Sequence, residues 1–495
     1  MNKFDELLDT ECPFFWNVDK VYVEQNLTEK MLSNLDEPTE DSSLFQNFVY
    51  LVTAVYDAAV VREDALEARK ILLKYDCVYD QLVEDDMMKD YILAFKHILF
   101  SMSAYLSRCA KKDDLYHEVL REIPKSTEFD DVNKAGLYGT KAAVLLEFGP
   151  FEPTIAACEL SKKAVELDDG QAEWHFIYGK GLHRRRRIER KNSLSSRPEV
   201  ESLTIEMKHL EKSVDLCPTP SKMVFLAESY ADAVSMIYYE NKCIPPESDK
   251  KHAIFYKMGN RAVELYRDAV SNFGKSWYIL LRCGMGFMKL EKPFKDVVVA
   301  KKYLEDAYDL KPDSGFICHQ LSIVCSRTQQ LDRAFEFAKK AADLGVVLAV
   351  LDEVRLGKQL FPKYDVLHSL KRNFDKYHAH GRSILSLHQG TFHFFKKNWD
   401  ACLRSFIDSF ELCGRKLLPH LKSHSPYTSP KRWMRPFSAI IFIDRVLKEL
   451  RNRSIPVNDD LVIELDRILH ENYAEALKDT KTLPVVTEIL RMVFG

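Results

Sequence analysis

LDRAFEFAKKAADLG (331–345), VVAKKYLEDAYDLKP (298–312) and TIAACELSKKAVEL (154–167) decide how this chain is read. Each carries two alanines seven residues apart: Ala334/Ala341, Ala300/Ala307 and Ala157/Ala164. Seven residues are two helical turns, so each pair lies on one helix face, and a face of small side chains lets neighbouring helices approach closely. The first two pairs lie 34 residues apart. A fixed period of that length marks stacked helical hairpins sharing a continuous core.

A 34-residue unit with small residues on its second helix is the tetratricopeptide pattern. The sequence therefore predicts an all-α tetratricopeptide superhelix of about nine hairpins with C-terminal capping helices. The expected organisation is an N-terminal extension over 1–42, tetratricopeptide subdomains over 43–240 and 241–415, and a basic loop with a helical cap over 416–495. Pro218, Pro245, Pro246, Pro293 and Pro312 fall between helical stretches, and Gly149 and Gly345 fit helix C-caps. RKNSLSSRPEV (190–200) and HLKSHSPYTSPKRWMRP (420–436) break the period and read as inserted loops.

Composition agrees with helix: of 495 residues, 46% are hydrophobic and 29% charged, with 17 Gly and 19 Pro. The acidic start lacks a secretory signal, no apolar run approaches a membrane span, and the eleven cysteines form no CxxC pair. These features point to a cytoplasmic protein with reduced thiols and no membrane contact.

Charge is unevenly spread although its net value is −3. Residues 1–60 hold twelve Asp and Glu against three Lys, whereas Leu412–Ile443 contains no acid and includes Lys431, Arg432 and Arg435. Arg184, Arg185, Arg186 and Arg187 form a second basic cluster at the end of a first helix. It reads in two ways, as a solvated helix terminus favoured by the dipole or as a phosphate-contacting patch. No P-loop, GxGxxG after a strand, HExxH or GxSxG is present, and Gly284 and Gly286 read as a close-packing pair. No catalytic residue, metal ligand or cofactor site is nominated, and the expected class is a binding protein rather than an enzyme.

LLDTECPFFWNVD (7–19), with Cys12, Phe14 and Trp16, resembles the opening Cys-x-Phe-x-Trp motif of the interferon-induced tetratricopeptide-repeat family. KAAVLLEFG (141–149), IYGKGLHR (177–184) and FICHQLSIVC (316–325) resemble later segments of that family in order and spacing. The resemblance implies an antiviral effector that holds the 5′ end of single-stranded RNA in a basic channel. It places Arg184, Arg282 and Lys289 on basic channel positions, His319 and Gln320 on a backbone-contacting pair, and Lys30 and Asn34 near the RNA end. Arg185–Arg187 and Lys431, Arg432 and Arg435 join this candidate RNA-binding set as basic neighbours and exit guards. Family self-association implies homo-oligomers through the C-terminal helices. Ala143 stands where cap-binding members carry a stacking tryptophan, and Glu147 replaces a lysine and opposes a 5′-triphosphate there. Ile279 and Cys283 replace two channel tyrosines. The alternative is a scaffold gripping a peptide or helix of a protein partner in the same groove.

Overall fold

A computed structural model describes residues 7, 11–16, 27–36, 43–149, 152–192, 200–241, 243–413, 438–478 and 483–495. Among these residues the fold is all-α, with 23 α-helices and no strand. The helices pack pairwise in tetratricopeptide fashion. Contacts group the chain into two units, Met1–Lys295 and Asp296–Gly495.

The first unit contains α1 (Leu27–Asp36), α2 (Leu44–Tyr56), α3 (Ala65–Lys74), α4 (Cys77–Val83), α5 (Ile92–Cys109) and α6 (Asp113–Glu122). It continues with α7 (Asp131–Phe148), α8 (Glu152–Leu167), α9 (Ala172–Asn192), α10 (Val200–Leu216), α11 (Pro220–Asn241), α12 (Lys250–Phe273) and α13 (Trp277–Lys289). Short polar side chains set the starts. Ser43, Asp64 and Asp130 each accept a hydrogen bond from a backbone N–H three residues on. The expected boundary at 240/241 falls within the last turn of α11, which packs along α12. Within 1–42, α1 packs on α2. The Cys-x-Phe-x-Trp motif forms a 3-10 turn over Pro13–Phe15, where Phe14 meets Tyr56 and Tyr105 and Trp16 Nε1 donates to the Glu11 carbonyl.

One sequence expectation is corrected. Leu44–Val61 forms a helical segment of 18 residues, long and apolar enough by composition to cross a membrane. Gln46, Asn47, Thr53 and Asp57 interrupt its apolar run, so counting consecutive apolar residues misses it. Phe45, Phe48, Val49, Leu51, Val52 and Val55 are buried in the unit's core.

Ala157 and Ala164 are fully buried, as the period requires. Close approach is sharpest at Gly139 on α7, where an added Cβ would lie 2.3 Å from the indole of fully buried Trp174 on α9. Gly286 on α13 lies equally close to the Tyr266 ring, in keeping with the packing reading of that glycine pair. α9 and α10 are also tied by a histidine pair 34 residues apart. His175 Nε2 lies 3.0 Å from the Asp169 carbonyl and donates to it, so its Nδ1 accepts from His209 Nδ1 at 2.8 Å.

The second unit contains α14 (Val297–Leu310), α15 (Gly315–Arg327), α16 (Leu331–Asp343), α17 (Val347–Leu360), α18 (Val366–Lys371), α19 (Ala379–Phe395) and α20 (Trp399–Cys413). Three further helices follow: α21 (Ala439–Asn452), α22 (Asp459–Tyr473) and α23 (Leu483–Phe494). Ala300, Ala307, Ala334 and Ala341 are all fully buried. Gly345 ends α16 with φ +92°, a left-handed cap that favours glycine. The last three helices share a core with α19 and α20, in which Trp399 and Phe494 stack 5.4 Å apart. Of the expected inserted loop 190–200, residues 190–192 instead end α9 and Val200 begins α10, while 193–199 and the whole of 420–436 lie outside the described residues.

Gly139→Ala should destabilise the protein by about 1–3 kcal/mol, the cost of overpacking a filled site, read as a lower urea midpoint. Burial, followed by the nearby His175, Lys208 and Lys212 charges, lowers the His209 pKa to about 4, while Asp169 opposes the shift. The unfolded chain therefore takes up this proton first, near the ordinary histidine value of about 6.5. Thermal stability should accordingly fall as pH drops from about 6.5 toward 4. His209→Gln should flatten that part of the pH profile, and an unchanged slope would contradict the assignment.

Candidate functional site

Helical spacing alone puts one set of polar residues of the first unit on common faces. Glu173, Lys180 and Arg184 repeat at seven and four residues on α9, while Lys222, Phe225 and Glu228 repeat at three on α11. Tyr278 and Arg282 share a face of α13, as Gln46 and Tyr50 share one of α2. These faces converge on a cavity of about 450 Å³ whose wall includes Asn34 of α1. Neutral amides and hydroxyls (Asn34, Gln46, Ser43, Thr219, Ser221) alternate there with the aromatic side chains of Tyr50, Phe176, Phe225 and Tyr278. Phe176 and Phe225 meet edge to face at 5.5 Å.

The charged groups of this wall are paired across helices. Lys180 lies 3.2 Å from Glu147 of α7, and Lys222, only 3% exposed, lies 2.8 Å from Glu173. Arg282 donates twice to Glu228, from Nε at 3.2 Å and Nη2 at 2.6 Å, with its guanidinium 5.6 Å from the Tyr278 ring centre. Burial works against the Glu147 charge, but Lys180, Arg184 and Lys30 outweigh it and hold the carboxyl below its ordinary range. Glu147 is therefore a carboxylate at neutral pH. Tyr50 is pushed well above its ordinary pKa, by burial first and then by Glu147 and Tyr278, and keeps its proton.

The four consecutive arginines divide by helical position. Arg184 reaches back to donate to the Leu146 carbonyl on α7, beside Glu147. Arg186 points the other way, into the core: its Nε and Nη2 donate to Glu206 at 2.9 and 3.0 Å, and His183 and Met236 complete its surroundings. Arg185 pairs with Glu189 at 2.8 Å on the surface, and Arg187 is exposed with Asp232 3.9 Å away. A run of one residue type thus supplies one cavity-side cation, one core ion pair and two surface charges.

Asn34 and Arg282 line the cavity, and Lys30 and Arg184 act on Glu147 at its margin. Lys289 is exposed two turns beyond Arg282 and is not among the lining residues. His319 and Gln320 belong to the second unit, where buried His319 lies 3.0 Å from Asp352 and Gln320 is half-buried. Lys431, Arg432 and Arg435 lie outside the described residues. Sequence reasoning passed over Lys180, Lys222, Glu173 and Glu228. Their signal was recurrence of charge on one face of otherwise apolar first helices, which a search for runs of like charge does not detect. Among the described residues no group of three or more His, Cys, Asp or Glu is arranged to hold a metal ion.

The sequence matches no protein-family model and no curated protein. Solved structures do match. A monomeric mutant of IFIT1 with Gppp-AAAA aligns over 100% of this chain and 99% of its own, with a TM-score of 0.50 and 13% identity. The chain is similar in fold to IFIT1. The human IFIT1 dimer with m7Gppp-AAAA aligns over 99% of both chains at 13% identity, with a TM-score of 0.48. At this identity the likeness is one of tetratricopeptide-type architecture.

Arg186→Ala would strand Glu206 in the core and should cost about 3–5 kcal/mol of stability. Arg185→Ala, on the surface, should change it by less than about 0.5 kcal/mol. Urea titration of the two variants checks the division, and equal effects would contradict it.

Proposed function

We propose that this protein is a non-catalytic, IFIT-like binding protein that takes the end of a single-stranded RNA into the cavity of its first unit. The observation that carries this reading is the meeting of cations, amides and aromatic faces in one concave site. Lys180, Lys222 and Arg282 offer donors to phosphate oxygens, and Arg184 and Lys30 add positive field at the margin. Phe176, Phe225, Tyr50 and Tyr278 offer ring surface against which bases stack without sequence preference. Asn34 and Gln46 supply donors and acceptors suited to base edges and ribose hydroxyls. Full-length similarity in fold to an IFIT1 mutant with Gppp-AAAA supports the same reading. The proposed setting is the cytoplasm, and the proposed role is antiviral restraint of RNA.

A second reading is favoured by one feature: each lysine or arginine in the wall already has a carboxylate partner. Mixed charge with aromatic surface also suits a peptide or helix of a protein partner.

Fluorescence anisotropy with a labelled single-stranded RNA at two salt concentrations separates the two. Binding should weaken as salt rises, because phosphate contacts release counterions. Joint Lys180→Ala and Arg282→Ala substitution should reduce affinity by about tenfold or more, the loss expected for two charged contacts. Absence of RNA binding at low salt would overturn the RNA reading and leave the peptide groove.

A further inference from the structure

The charge balance of the cavity bears on which RNA end it accepts, an inference that rests on the RNA reading above. Three cations line the wall and each is matched: Lys180 by Glu147, Lys222 by Glu173 and Arg282 by Glu228. These carboxylates belong to the packing of the site. Glu173 and Glu147 are largely buried, and Glu228 accepts two hydrogen bonds from one edge of the Arg282 guanidinium. A phosphate entering here meets two lysines and one arginine whose charge is already committed, with Glu173 in the lining and Glu147 and Glu228 behind Lys180 and Arg282 all repelling it. Lys30 and Arg184 extend their field to Glu147 from the margin. Even with both counted in full, five cations face three carboxylates.

A monophosphate carries a charge of about −1.5 to −2 at neutral pH. That is within reach of such a site, whereas a triphosphate adds further negative charges that nothing in the wall balances. The remaining lining is neutral and flat-faced: Asn34, Gln46, Phe176, Phe225 and Tyr278. Those groups suit a nucleoside, and a cavity of about 450 Å³ falls in the range of small-molecule sites. We propose that the cavity seats the terminal nucleoside of an RNA bearing a 5′-hydroxyl or a single 5′-phosphate and selects against a 5′-triphosphate. Glu147, Glu173 and Glu228 are the residues that set this preference.

The test uses 3′-labelled tetra-adenylate RNAs with 5′-hydroxyl, monophosphate or triphosphate ends, titrated into the full-length protein at low salt. The hydroxyl and monophosphate forms should bind at least about tenfold tighter than the triphosphate, the effect of one close charge pair in a part-buried site. Glu173→Gln and Glu228→Gln, made separately, release Lys222 and Arg282 respectively. Each should shift the preference toward the triphosphate by about tenfold. The end-ranking of the unaltered protein needs no variant to fold. Preference for the triphosphate would overturn this inference and leave RNA binding standing, whereas failure of all three RNAs to bind would overturn the RNA reading and the inference with it.

Discussion

Everything in this structure depends on how closely one helix can lie on the next. Ala157, Ala164, Ala300, Ala307, Ala334 and Ala341 have no accessible surface, and Gly139 leaves no room for a methyl group beside Trp174. Small residues at these contacts bring backbones together, so that larger side chains such as Trp174, Phe45 and Tyr91 interlock around them. Because each hairpin buries its apolar stripe only against its neighbours, this spacing repeats through the unit. It also sets how far apart the polar faces of α7, α9, α11 and α13 stand. The cavity is a consequence of that spacing.

Polar groups on those faces follow a second constraint. A cation half-removed from water needs an opposite charge or a strong acceptor. Lys180, Lys222 and Arg282 find theirs on a neighbouring helix, which binds the first helices to one another and gives the wall alternating sign. Arg186 meets the same demand inside the core, with Glu206 and His183. Function and stability draw here on one set of charges, and that is why basic residues in this chain are a poor guide to phosphate binding when counted alone.

Fold and site were unequally legible in the sequence. The alanine pairs, with their 34-residue period, led to helical hairpins because a buried small residue leaves a periodic trace that nothing else produces. Leu44–Val61 escaped notice as a long apolar helix because Asp57 and three uncharged polar residues interrupt its run. The arginine run was legible as a cluster and illegible as a site. Consecutive helix residues point about 100° apart, so Arg184 and Arg186 end on opposite sides. Glu173 and Glu228 were harder to see, because each is one half of an ion pair whose partner lies on another helix far along the chain.

Local periodicity by itself determined that this chain is a tetratricopeptide-type α-helical protein, since the pattern of apolar and small residues must match the face each helix buries. Only the tertiary structure decided which cations remain at a concave site and which carboxylate each one meets. Those pairings join α7, α9, α11 and α13, segments separated by tens of residues. The contact distance across helices is set by packing, and packing is a property of the assembled hairpins that no single stretch of sequence records.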